Sequence, residues 1–437
     1  MKIAVIGSGI AGMAAAYYLH HARTRVPHEV HLFEAGDRLG GHTATKQVRD
    51  GEQMLAIDTG FIVYNDWTYP NFIELLTNLD IRSQPTEMSF SVSDAVSGLE
   101  YKGSSINTLF AQRANVVSPR FWRLLADIAR FNRQVERHLA ADPALGNATL
   151  GDYLREQRYS SAFAELYLIP MGAAIWSSDH GTMLNFPLQF FVRFFRNHGL
   201  LNVVNRPQWR VLEGGSSSYI VPLTTGYSYN IHLRTPVQRI ERGCQVDGKI
   251  KVAVHSKRGC EYFDQVVLAC HSDQALRLLG DPTAAEKSIL GAIPYCRNEV
   301  VLHRDERLLP RNRRAWSSWN VKIDEDKTRP ATLTYNMNIL QDLHSKNTWC
   351  VTLNQTNAIR EELIEGIYHY EHPVFTQAGI AAQQRWEEIN GVNGTWYCGA
   401  WWRNGFHEDG VWSALRVANE LGQLSPTVTP VRVADYA

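Results

Sequence analysis

Gly7, Gly9 and Gly12 have the spacing of a phosphate cradle. They form G-x-G-x-x-G directly after the apolar pair Val5-Ile6. In such a turn the first glycine permits the tight bend and the second lets the backbone approach a pyrophosphate. The third lets the following helix lie close on a sheet. The helix start then offers free N–H groups and the positive end of its dipole to the phosphates. Glu34 closes the next apolar stretch, 22 residues beyond Gly12, where a carboxylate can hold a ribose hydroxyl. The chemistry these residues imply is dinucleotide binding. A secretion signal beginning at Lys2 competes with this reading, but three glycines suit a phosphate turn better, and no A-x-A cleavage site follows. A glycine turn without any ligand is the other competitor.

The elements that must position these residues follow from the pattern. Residues 2–6 read as a buried strand, 10–23 as a helix and 29–33 as a second strand. A helix over 69–79 carries Phe72, Leu75, Leu76 and Leu79 on one face. Short strands are expected over 90–92 and 99–101. Ser118-Pro119 starts a long helix, with serine as cap and proline in the first turn. Its expected apolar face is Trp122, Leu125, Ile128, Val135 and Leu139. Arg123, Arg130 and Arg137 share another face. A basic amphipathic helix suits an anionic membrane surface, but a solvated face of a helical subdomain is the preferred reading.

Residues 167–176 are apolar and nearly chargeless, and Phe186, Phe190, Phe191, Phe194 and Phe195 cluster after them. This stretch reads as the lining of a channel for a long apolar substrate, as a membrane-interface segment, or as a buried helix. Beyond it come a helix over 218–224, one strand-like stretch over 231–240, and a hairpin over 249–255 and 260–263. A strand over 264–270 returns to the central sheet. Strands over 299–303, 332–336 and 349–353 form a second sheet. A strand over 395–399 and a helix over 411–421 close the fold, and 424–437 reads as a tail.

Composition bounds the function. The 437 residues suffice for two domains. Forty-four basic and 44 acidic residues balance, which argues against a nucleic-acid partner. No apolar run reaches the length of a membrane span. Cys244, Cys260, Cys270, Cys296, Cys350 and Cys398 form no C-x-x-C pair and no metal spacing, so they read as free thiols in a cytoplasmic protein without a metal. Twelve Trp, 18 Tyr and 16 Phe suit a large apolar cavity and equally a large core.

The stretch Arg38-Leu39-Gly40-Gly41-His42-Thr43-Ala44-Thr45 extends the first motif. It resembles the R-x-G-G-[RK]-x-x-T block of the flavin-containing amine oxidase superfamily, which includes phytoene desaturases and protoporphyrinogen oxidases. His42 stands where that family has Arg or Lys. Asp58-Thr59-Gly60-Phe61 resembles the family block beside the flavin ring. Thr235-Pro236-Val237 resembles its t-x-V block, and 264–270 resembles its D-x-V-V-x-A-T strand. Thr395-Trp396-Tyr397-Cys398-Gly399 and the helix from Gly410-Val411 resemble its C-terminal flavin block, with Ala400 where an acid is usual. The resemblance implies FAD. It implies a Rossmann-type α/β FAD-binding domain, glutathione-reductase-like, assembled from 1–90, 205–275 and 390–423. A discontinuous α+β substrate domain is built from 91–204 and 276–389. The cofactor residues it implies are Gly7, Ser8, Gly9, Ala11, Gly12, Glu34, Ala35, Arg38, Gly40, Gly41, His42, Thr43, Thr59, Gly60, Phe61, Val237, Gly399, Gly410 and Val411.

No second G-x-G-x-x-G appears, which argues against a separate NAD(P)H site. The chemistry expected is oxidation of a substrate C–H bond with hydride passing to flavin N5, and then oxygen or a quinone as electron acceptor. Amine oxidases of the superfamily carry a lysine facing N5 on the substrate sheet. The comparable stretch here, 293–300, has none. No Ser/His/Asp triad is evident. His407 and Glu408, at the start of the C-terminal helix, are the catalytic candidates. Met171, Trp176, Phe191, Phe195 and Trp401 are the substrate-contact candidates.

Segments 170–176, 198–201, 206–209, 315–320 and 406–410 resemble one bacterial subfamily of FAD-binding oxidoreductases. Its members are linked to modification of membrane fatty acyl chains, including dehydrogenation in furan fatty acid biosynthesis. The resemblance implies a lipid or other apolar substrate and a peripheral site on the inner face of the membrane. Amine oxidases and carotenoid desaturases or isomerases are the enzyme alternatives. A Rab escort-like lipid-binding protein without FAD is the non-enzyme alternative.

Overall fold

The computed structural model describes residues 1–22, 28–202, 204–324 and 332–422. The expected tail over 424–437 lies outside the described residues, as does the last residue of the expected 10–23 helix. Six helices matter for the site: α1 (Ile10–His20), α2 (Pro70–Asn78), α3 (Pro119–Ala141), α4 (Ile169–Trp176), α5 (Leu188–Asn197) and α6 (His407–Gly422).

Among the described residues, five parallel strands form the first sheet, in the order Ile231–His232, Glu29–Phe33, Lys2–Ile6, Gln265–Leu268 and Thr395–Tyr397. Ile3, Ala4 and Val5 are wholly buried, as parallel strands covered on both faces must be. α1 and α6 pack together on this sheet. The phosphate turn and the C-terminal block, almost 400 residues apart in sequence, are thus neighbours.

The second sheet runs Ile364–Pro373, Tyr295–His303, Cys350–Leu353, Thr332–Asn336, Trp319–Ile323, Phe90–Asp94 and Glu100–Lys102. Its pairs are antiparallel except Trp319–Ile323 with Phe90–Asp94. The Ile364–Pro373 strand has no counterpart in the sequence reading. Its residues alternate between half-buried and exposed along most of this edge of the sheet, which mixes polar and apolar types.

Two expectations are corrected. The 231–240 stretch is not one strand. Ile231–His232 joins the first sheet, Arg234 takes a positive φ of 51°, and Thr235-Pro236 breaks the run. Val237–Val246 then opens a separate antiparallel sheet. Proline cannot donate to a ladder, which explains the break. The buried stripe of α3 is Phe121, Leu124, Asp127, Phe131 and Val135; of the expected face, Val135 is buried and Leu125, Ile128 and Leu139 pack half-buried beside it, while Trp122 points outward. Ser118 caps α3 as expected, accepting the Phe121 N–H at 3.3 Å. Asp127 takes both Arg123 (3.2 Å) and Arg130 (3.4 Å), so one carboxylate offsets part of that arginine face within the helix.

Candidate active site

One cleft of about 650 Å³ runs from the first sheet to the second. Glu34, Ala35, Thr235 and Val237 line one end. The glycine turn and Gly40-Gly41-His42 line its middle, with Gly399 alongside. Gly60, Phe61, Trp176, Tyr295, His372, Phe375, Trp401 and His407 line the rest.

The glycines are there for space. A Cβ on Gly12 would stand 1.9 Å from the Gly7 carbonyl oxygen, and one on Gly410 would stand 2.9 Å from the Ile10 side chain. Gly40 N–H donates to the Ser8 carbonyl at 3.0 Å, which brings the two glycine loops edge to edge. A Cβ on Gly9, by contrast, meets nothing within 4 Å. The backbone there is bare toward open space, beside the first turn of α1 with its unspent N–H groups. That is the cradle a pyrophosphate requires.

The Glu34 carboxylate is held in place beside this turn. One oxygen accepts the Ser8 N–H at 3.0 Å and the other accepts the Gly36 N–H at 2.7 Å. His42 lines the cleft, and its Nε2 lies buried without a hydrogen-bond partner.

Of the expected cofactor residues, Gly7, Ser8, Gly9, Ala11, Glu34, Ala35, Gly40, Gly41, His42, Gly60, Phe61, Val237 and Gly399 line the cleft. The rest do not line it. Arg38 donates to the carbonyls of Gly41 (2.7 Å) and Thr43 (2.9 Å), so it clamps the loop rather than facing a phosphate. Thr43 hydrogen-bonds Tyr219 and His407. Thr59 donates to the Ala44 carbonyl and meets the Tyr370 hydroxyl. Gly12 packs against the Gly7 carbonyl and Ala269, and Gly410 meets Ile10 and Ala11 where α6 crosses α1, with Val411 buried beside it.

The two catalytic candidates separate. His407 lines the cleft and stacks on Phe61 with centroids 3.5 Å apart. Its Nε2 is engaged by Thr43 (3.0 Å) and Tyr219 (3.1 Å), and burial pushes its pKa well below the usual value, so it stands as a neutral wall. Glu408 leaves the cleft altogether. Its carboxylate accepts the N–H groups of Asn71 and Phe72 at the start of α2, because Tyr69 offers that helix no side-chain cap.

The substrate candidates separate too. Trp176 and Trp401 line the cleft. Phe191 and Phe195 do not. They stack on each other 4.1 Å apart in a closed core, both almost wholly buried, because α5 turns this face inward against α4. Met171 packs at the edge of the same core.

The sequence reading missed a polar wall. His42, His271 and His372 all line the cleft, His42 lying 6.2 Å from His271 and 5.4 Å from His372 between centroids. Burial and mutual repulsion push His42 to about 3 and His372 to about 4, and burial lowers His271. All three are neutral near pH 7. His372 Nδ1 lies 3.1 Å from Ser177 Oγ, and His271 stacks on Tyr295 at 4.3 Å. These residues come from five separate segments, so no local pattern announced them.

The family model for flavin-containing amine oxidoreductases matches residues 10–301. The chain belongs to that family. The family is flavin-containing, and the glycine cradle, the placed Glu34 and the unpartnered buried His42 nitrogen fit FAD. A Mycobacterium tuberculosis protein named as a putative flavin-containing monoamine oxidase is 28% identical over 259 residues. That match covers 55% of this chain and 52% of the relative, so the chain spans about half the length of the curated relatives it matches. Cyclohexylamine oxidase from Brevibacterium oxydans has the same fold, with a TM-score of 0.67 at 17% identity over 97% of this chain and 98% of that one. So has a conjugated-linoleic-acid-producing fatty acid isomerase from P. acnes, with a TM-score of 0.60 at 14% identity over 96% and 98%. Among the described residues no helix is long and apolar enough to cross a membrane.

Proposed function

We propose that this flavoenzyme dehydrogenates a lipid, a methyl-branched acyl chain of a membrane phospholipid, to an alkene. The observation that carries this is the far wall of the cleft. Ala174, Ile175, Trp176, Trp319, Leu340 and Phe375 line it, and no lysine lines the cleft among the described residues. An apolar wall of this kind fits an uncharged alkyl chain, because burying the chain releases its hydration shell. The Tyr295–His303 strand, where amine oxidases of the superfamily carry lysine, presents Tyr295 to the cleft and holds Asn298 buried.

FAD, when bound, accepts the hydride. The chain's own part is to orient the acyl segment, exclude water and take the proton. One carbon loses hydrogen with its electron pair, its neighbour loses a proton, and a double bond remains. His271 takes this proton, since its Nδ1 lies 3.5 Å from the Glu371 carboxylate while burial and repulsion disfavour protonated His42 and His372, and oxygen or a quinone is the later electron acceptor.

Amine oxidation is the second reading. Glu371 favours it, since this half-exposed carboxylate lies on the cleft beside His271 and could meet an ammonium group. Anaerobic bleaching of the bound flavin separates the two. The lipid reading expects bleaching by methyl-branched phospholipid and none by simple amines. Bleaching by amines alone overturns it.

A further inference from the structure

We propose that the elbow leading into α3 docks this protein on an anionic lipid bilayer. This deepens the lipid reading above and rests on it, since a phospholipid substrate must be reached at a membrane surface.

Four large apolar side chains stand exposed on this elbow. Ile106 is 80% exposed, Val117 83%, Val116 47% and Trp122 51%. Hydrogen bonds gather them into one patch. Trp122 Nε1 donates to the Val116 carbonyl at 2.8 Å, and its ring lies 5.6 Å from that of Phe110. The Arg113 guanidinium donates to Asn107 Oδ1 at 2.6 Å and to the Phe110 carbonyl at 3.0 Å, which draws Ile106 alongside. Leaving this much contiguous apolar surface in water is unfavourable, and such patches mark interaction sites. A tryptophan whose N–H is already satisfied at one edge suits the boundary between headgroups and acyl chains.

The charge around the patch selects the partner. From Lys102 to Ala126 the chain carries Lys102, Arg113, Arg120 and Arg123 and no acidic residue. A second loop adds Arg311, Arg313 and Arg314, all exposed. It is latched to the same surface: Asn312 donates to the Ala111 carbonyl at 2.8 Å, and the N–H groups of Arg311 and Asn312 donate to the buried Glu100. Lys102, Arg123 and Arg313 meet Glu87, Asp127 and Glu306. Arg113, Arg120, Arg311 and Arg314 have no carboxylate partner among the described residues. An apolar centre inside a cationic rim complements a negatively charged leaflet, where the rim meets headgroups and the centre enters the interface.

The test is co-sedimentation of the full-length, FAD-loaded protein with phosphatidylcholine vesicles, with and without phosphatidylglycerol. Turnover is not read, so this proposal and the lipid-substrate reading can fail separately. Binding is expected to the phosphatidylglycerol vesicles and to weaken with salt. Val117→Asp, Ile106→Asp, Arg120→Glu and Arg314→Glu are each expected to lower vesicle affinity by about tenfold, with flavin absorbance and melting temperature unchanged. The proposal is overturned if the wild type ignores anionic vesicles or if the variants bind as well as it does. It is also overturned if sedimentation velocity shows a dimer that Val117→Asp dissolves, since the patch would then be a contact between two copies.

Discussion

Glu408 Oε2 accepts the Phe72 N–H at 2.9 Å, so a side chain from the start of α6 caps the start of α2. Asn71 adds its own N–H and its side-chain amide to the other oxygen. The carboxylate sits beside the flavin block in sequence and faces away from the cleft in space. Its chemistry is therefore read in stability.

Burial raises the Glu408 pKa to about 7, against the pull of these hydrogen bonds. An unfolded glutamate titrates near 4.5. Between those values the folded state holds the extra proton, so this group's stabilising contribution falls as pH rises from about 4.5 to about 7. Melting temperature against pH should show this in the wild type. Glu408→Gln should flatten that part of the curve while flavin content stays the same. An unaltered slope would show that Glu408 does not titrate in this window.

Two glycines at the phosphate turn should fail differently. Gly12→Ala drives a methyl group into the Gly7 carbonyl, backbone against backbone, and should lower the melting temperature as well as flavin content. Gly9 has an ordinary φ of −64° and open space for a side chain. Gly9→Val should fold normally and purify colourless, because its side chain occupies pyrophosphate space. The flavin spectrum and the melting curve, taken together, separate the two.

This contrast shows what could be read without coordinates. The glycine turn, Glu34 and the Gly40-Gly41 loop are local, since each motif carries its own geometry within a few residues. Most of them duly line the cleft. The direction of a single side chain at a helix start is not local, and there the reading failed for Glu408. On α3 only Trp122 failed, because Phe121 and Trp122 are neighbours of similar hydrophobicity. Only packing decides which goes inward. The histidine wall was hidden because His42, His271 and His372 lie on segments brought together by both sheets.

Asp58 gives a third prediction. It accepts the Ser216 N–H at 2.9 Å, the Ser216 hydroxyl at 2.8 Å and the Thr45 hydroxyl at 2.6 Å. It thus ties the hairpin before Phe61 to the Gly214-Gly215 turn. The Gln341 amide donates to Asp58 as well, at 3.1 Å. Asp58→Ala leaves these four donors unmet and should cost about 2–4 kcal/mol of stability, measured by denaturant unfolding. Because the same hairpin leads into Gly60 and Phe61, FAD affinity should fall as well.

The last prediction contrasts Phe191 with Ile175. Phe191 lies in the closed core, and even a Cβ on Gly172 would come within 3.0 Å of its ring. Phe191→Ala should therefore cost about 3–5 kcal/mol through the cavity it leaves, while enzyme kept folded in the cold retains its flavin and its substrate KM. Ile175 lies on the cleft wall with Trp176 and is only partly buried. Ile175→Glu places a charge where an alkyl chain must pass. It should leave melting temperature and flavin spectrum nearly unchanged and slow flavin reduction by the lipid at least about tenfold, because a carboxylate beside a bound alkyl chain must lose its water. Should Phe191→Ala abolish reduction in folded, flavin-loaded enzyme, the channel would run through the α5 core after all. Should Ile175→Glu leave reduction untouched, this wall would not meet the substrate.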